Sequence, residues 1–133
     1  MFQDLPLYLA SQSPRRKQLL KILNLNFETF SVDINESLIP GESPLSTVLR
    51  LSSQKLNAAK SIVKDGLIIT ADTIVVLNDE IIGKPIDKAD AEFILSKLSG
   101  NTHTVYTGFA IFNSRNNKTI VDYETTQVTF RNL

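Results

Sequence analysis

The stretch "LIITADTIVVL", Leu67–Leu77, constrains the fold of this chain more than any other. It is almost continuously apolar and rich in β-branched residues, which predicts a strand buried on both faces. Asp72 stands in its middle, between Ala71 and Thr73. An isolated buried carboxylate is expensive, so Asp72 has to be paired, metal-bound, protonated or placed at a cleft. The alternative is that the strand ends in a bend at Thr70–Thr73.

The flanking sequence supplies helices and then hairpins. Leu7–Ala10 reads as a short strand, followed by a polar turn at Ser11, Gln12 and Ser13 and a helix from Pro14 to Leu23, with Leu19, Leu20, Ile22 and Leu23 inward. Phe27–Val32 is predicted as a strand and Ile34–Ser43 as a loop, marked by its Pro-Gly pair. Ser43 can cap a long helix with Pro44 at its first position, running to about Lys64 before Asp65-Gly66. After the apolar strand, "NDE" turns back into Ile81-Ile82, a helix spans Asp87 to Leu98, and Thr102–Phe112 and Thr119–Phe130 flank the hairpin loop "SRNNK". Alternating helices and strands followed by hairpins argue for one α/β domain with a mixed sheet.

Charge and composition narrow the chemistry. Lys+Arg and Asp+Glu balance at 14 each, so no broad basic field awaits nucleic acid or an anionic membrane. With no cysteine and a single His, thiolate chemistry and a zinc site are unexpected. The first residues, "MFQDLP", lack the marks of a signal peptide, and no run approaches the ~20 apolar residues of a membrane span. Any anion must therefore be held by a local cluster. "PRRK" places Arg15, Arg16 and Lys17 in the first turn of a helix, where free N–H groups and the helix dipole are already positive. A strand-turn-helix junction with arginines suits phosphate, although the same cations could be solvated surface groups. Glu36 and Lys84 are ambiguous between ligand and surface charge. Lys55 interrupts the apolar side of the long helix and could equally snorkel. His103, Tyr106 and Phe109 read as structural residues, His103 as a hydrogen-bonded one. Two carboxylates plus phosphate oxygens are a usual way to hold Mg²⁺, which points to metal-assisted phosphate-ester or anhydride chemistry.

"LASQSPRRKQLL", the loop glutamate of "VDINE", "RLSSQK", "ADTIVV", "GKP" and "LSGNTHTVYTG" occur here in the order seen in the Maf family. The chain resembles those nucleoside triphosphate pyrophosphatases, historically described as septum-formation inhibitors, over nearly all its length. The resemblance implies a two-lobed fold with a central cleft, like that of the inosine-triphosphatase-like enzymes. It also implies a catalytic Asp72, substrate-binding Ser11, Arg15, Arg16, Lys55, Thr73 and Lys84, and a divalent cation (Mg²⁺ or Mn²⁺) at Glu36 and Asp72. Arg15 and Thr73 match positions linked to base selection. "ADT" resembles the dTTP/UTP-hydrolysing branch rather than the one acting on 7-methyl-GTP, which tends to carry Ser-Asp-Gln there. Cytoplasmic location, a nucleotide substrate and the family's dimer are the accompanying expectations. Family members continue several dozen residues further, through a "KAG-x-Y-x-I-Q-G"-like segment, so residues 1–133 resemble a single Maf-like domain lacking its C-terminal part. That shortening raises a competing expectation: a nucleotide-binding regulatory module without turnover.

Overall fold

Three helices begin where the sequence offers a side-chain acceptor for their first amides. In this computed structural model, which describes residues 5–11 and 13–133, α1 spans Pro14–Ile22, α2 Pro44–Lys60 and α3 Lys88–Leu98. Gln12 of the expected polar turn and residues 1–4 lie outside the described residues. Ser13 Oγ accepts from Arg16 N at 3.4 Å, Ser43 Oγ from Ser46 N at 3.1 Å and Asp87 Oδ1 from Asp90 N at 2.7 Å. Proline opens both α1 and α2, where its missing N–H costs nothing.

The strands are β1 (Leu7–Leu9), β2 (Glu28–Thr29), β3 (Leu67–Leu77), β4 (Glu80–Ile82), β5 (Thr102–Asn113) and β6 (Lys118–Thr129). They form one mixed sheet in the order β2-β1-β3-β5-β6, with β4 also paired to β3. Its centre is the apolar stretch: β3 runs parallel to β1 and antiparallel to β4 and β5. Asp72 lies opposite Gly108, and Thr73 opposite Thr107, so the strand continues unbent through its carboxylate.

Alternation along β3 sends Ile68, Thr70 and Asp72 to one face, here the front, and Ile69, Ala71 and Thr73 to the back. On the front lies α2, with Val48, Leu51, Leu56 and Ala59 buried. Ala10, Leu56, Ala59, Ile68 and Ala110 form the core, walled by Phe30, Val32, Val63 and Phe112. Thr70 Oγ1 donates to the Ser52 carbonyl at 2.7 Å, satisfying a hydroxyl with no access to water. Gly108 sets how close α2 can come: a methyl group at its Cα would overlap the Val48 carbonyl.

Several expectations need correction. The inward side of α1 is not buried: Leu19 and Ile22 are 55% and 76% exposed, and no residue of the helix is buried. Leu19 and Leu20 instead border a back-face cavity with Ile69, Ala71, Val105 and Val128 rather than packing onto a filled core. For the same reason β3 is fully covered only toward α2. The predicted strand at Phe27–Val32 shrinks to the two residues that pair with β1, and α2 stops at Lys60 with Ser61 as its cap. His103 is buried, edge-on to Phe130 at 5.1 Å, but its Nδ1 has no hydrogen-bond partner among the described residues. Its anchoring is therefore aromatic packing rather than the expected hydrogen bond at that nitrogen.

Candidate active site

The strand-turn-helix junction and the middle of β3 meet through one side chain. The Arg16 guanidinium donates from Nη1 to Ser11 Oγ at 3.1 Å and from Nη2 to Thr73 Oγ1 at 2.9 Å. Thr73 Oγ1 lies 3.0 Å from Thr107 Oγ1 on β5, so three elements share one hydrogen-bonded chain. Burial pushes the Arg16 guanidinium down from its ordinary range, and the nearby Asp72 charge opposes that shift. Arginine nevertheless stays cationic at any physiological pH.

Asp72 is paired. Lys55 Nζ, reaching over from α2, donates to Asp72 Oδ1 at 2.9 Å and to the Ala71 carbonyl at 3.3 Å. The same ammonium meets Glu36 Oε1 at 3.2 Å, so Lys55 bridges the strand carboxylate and the loop carboxylate. The break in the apolar side of α2 thus brings an ammonium between two carboxylates rather than out into solvent.

These groups border connected space. Arg16, Glu36, Lys55, Asp72, Thr73 and Lys84 all line one cavity of about 760 Å³, whose farther wall is apolar, with Leu38, Leu51, Ile74, Ile82 and Ile94. A second hollow of about 590 Å³, lined by Ser11, Ser13, Arg16, Asp33, Glu36, Lys55 and Lys84, adjoins it through the shared residues. Both volumes suit a ligand of nucleotide size. Arg15 is placed elsewhere: it is exposed and borders the back-face cavity, which it shares with Arg16 and Thr73 but not with Asp72. Arg16 and Ser13, the cap of α1, reach all three spaces.

Glu36 and Asp72 offer hard oxygen donors that fit Mg²⁺ or Mn²⁺, already gathered around one positive centre, the Lys55 nitrogen. No group of three or more His, Cys, Asp or Glu that could hold a metal occurs among the described residues, so a cation held here would depend on ligand oxygens or water for the rest of its shell.

Sequence reasoning missed five participants. Ser13 and Asp33 line the smaller hollow, Thr107 holds Thr73, and Glu42 with Arg50 fastens the loop that carries Glu36. Thr107 and Arg50 stand inside the quoted motifs but carry no local signal of their partners. Arg50 Nε lies 2.9 Å from Glu42 Oε2, and its hydrogen bond holds the Glu42 carboxyl below the ordinary glutamate range. A depressed folded-state pKa contributes stability above the unfolded value, and that contribution disappears as pH falls through the folded one. The stability gap between the wild type and Glu42→Gln should therefore hold from pH 7 to about 5 and close as pH drops below about 4. Urea unfolding of both proteins across that range checks it.

Comparison with known proteins places this geometry in context. Residues 6–133 match the family described as Maf-like protein. The chain is 44% identical over 125 residues to a dTTP/UTP pyrophosphatase of Geobacter sp. (strain M21), covering 94% of this chain and 65% of that one. It is 41% identical over 128 residues to the dTTP/UTP pyrophosphatase of Desulforamulus reducens, covering 96% and 67%. It is 39% identical over 125 residues to that of Clostridioides difficile, covering 94% and 64%. The chain thus spans about 65% of the length of the first curated relatives it matches.

Proposed function

Because the chain belongs to the Maf family, we propose that it is a nucleoside triphosphate pyrophosphatase that converts dTTP or UTP and water to the nucleoside monophosphate and pyrophosphate. One observation carries this reading: Asp72 and Arg16 border one cavity with Lys55, Lys84, Glu36 and Thr73. Ser11, whose hydroxyl Arg16 holds, lines the adjoining hollow. Arg15, at the helix start but facing the back-face cavity, is assigned to the nucleoside end of the substrate rather than to its phosphates.

The chemistry follows from the charges. A water oxygen attacks the α-phosphorus, the bond from that phosphorus to the bridging oxygen breaks, and pyrophosphate leaves with the electron pair. The water proton passes to the Asp72 carboxylate, whose Oδ1 is held by Lys55. Negative charge grows on the bridging oxygen, and Arg16 and Lys84 are the cations positioned to stabilise it. Glu36 and Asp72 would hold a divalent cation, which would supply further neutralisation of phosphate charge. Positive charge in the first turn of α1 is unfavourable in the free protein, and a bound triphosphate offsets it.

The test is a nucleotide panel with Mg²⁺ or Mn²⁺ in ¹⁸O-labelled water. The expected products are pyrophosphate and a monophosphate carrying the label, with dTTP and UTP turned over fastest. Orthophosphate with a nucleoside diphosphate would refute attack at the α-phosphorus. Calorimetric binding with no product would favour the non-hydrolysing module instead. No helix among the described residues is long and apolar enough to cross a membrane.

A further inference from the structure

The loop that delivers Glu36 is fastened by charge. Between β2 and α2 the chain turns at Pro40–Gly41, where Gly41 adopts φ +81° and Glu42 N donates to the Ile39 carbonyl at 3.1 Å. Apolar packing holds little of this loop, since Leu38 and Ile39 are 53% and 51% exposed. Its tie to the body of the protein is Arg50 on α2. Arg50 Nε donates to both Glu42 oxygens, at 2.9 and 3.2 Å, and Nη2 donates to Glu42 Oε1 at 3.0 Å. Thr47 Oγ1 adds a bond to Glu42 Oε1 at 2.9 Å. The same Nη2 reaches the Ser37 carbonyl at 3.2 Å, next in sequence to Glu36. One guanidinium therefore grips the loop at two points that bracket its exposed apolar tip. Arg50 stands five positions before Lys55 on the same helix, and Lys55 takes the Glu36 carboxylate.

We propose that Arg50, through its fork on Glu42 and its bond to the Ser37 carbonyl, is a positioning residue that holds Glu36 over the Lys55–Asp72 pair. This rests on the reading above that Glu36 and Asp72 together take a divalent cation. Arg50 lines none of the three cavities that Arg16 borders, so its effect on that cation must pass through the loop. A planar fork is required: lysine keeps the charge but cannot hold both carboxylate oxygens and a carbonyl at once.

The test compares Arg50→Lys with the wild type, and repeats the comparison in a Glu36→Gln background. Hydrogen exchange of the loop amides at 34–39 should accelerate about tenfold or more, while α2 and β3 keep their protection. Mn²⁺ affinity, read from the electron paramagnetic resonance of the free ion, should fall about tenfold in Arg50→Lys. In the Glu36→Gln background the same substitution should change Mn²⁺ affinity no further. Glu42→Gln, which keeps the side chain's shape, should reproduce both effects if Arg50→Lys proves unstable. Unchanged loop exchange overturns the proposal, as does an equal loss of Mn²⁺ affinity with and without the Glu36 carboxylate. A wild-type chain that binds no Mn²⁺ would overturn the metal reading instead, and loop exchange alone would then decide the role of Arg50.

Discussion

Asp72→Asn is expected to leave the melting temperature nearly unchanged and to lower kcat for dTTP or UTP hydrolysis by about 10²- to 10⁴-fold. Asparagine is close to isosteric and its amide oxygen can still accept from Lys55, which donates to Asp72 Oδ1 at 2.9 Å in the wild type. What it cannot do is take a proton from water. If Arg16 and Lys84 grip the nucleotide as proposed, KM should move far less than kcat. Lys55→Met makes the contrast: it leaves a carboxylate that is only 8% exposed without its partner, so this variant should lose stability as well as turnover. Pyrophosphate release and thermal melts on the two variants separate chemistry from folding. Full activity in Asp72→Asn would remove the acid from the mechanism.

Gly108→Ala should be the most disruptive small substitution in the sheet. The added methyl would overlap the Val48 carbonyl on α2, and backbone cannot swing aside as a flexible side chain can. Overpacking of this kind costs about 1–3 kcal/mol, which for a domain of this size is a drop in Tm of roughly 4–12 °C. Function should suffer beyond that loss, because α2 carries Lys55, and lifting the helix draws the ammonium away from Asp72 and Glu36. Calorimetry of the variant, with activity assayed well below its Tm, checks both parts. A variant as stable as the wild type would show that α2 can move at no cost.

The sequence was most legible where the determining information is local. Ser43-Pro44 and Asp87 opened their helices as expected, and the turn residues after Asn113 closed the β5–β6 hairpin. The apolar run of β3 was equally plain, because its pattern does not depend on what it pairs with. β2 was not, since a weakly alternating segment is a strand only where a neighbour meets it, and β1 pairs with two of its residues. Helical phase decided α1: Arg15 and Arg16 are indistinguishable as letters, yet one step around the axis gives Arg16 the β3 hydroxyl and Arg15 the back-face cavity. The apolar residues of α1 signalled burial that no neighbour supplies among the described residues. Asp72 announced itself by being costly. Its partner Lys55, the Thr107 hydroxyl and the Arg50–Glu42 pair depend on contacts between distant segments, for which a single chain carries no local mark.

Neighbouring residues of β3 send Asp72 toward α2 and Thr73 to the opposite side, so the two halves of the site hang on a single peptide link. Were β3 to slide one place along β5, the acid would turn out of its niche and a hydroxyl would be delivered to the lysine in its stead. Lengthening the turn at 116–117, beyond the Ser114 and Arg115 ties to Gly66 and Asp65, would disturb only the outer ribbon, whereas one residue inserted between Leu67 and Ala71 would invert the chemistry. Tolerance to insertion should therefore be sharply uneven along this chain, generous at the hairpin tip and nil within the central strand.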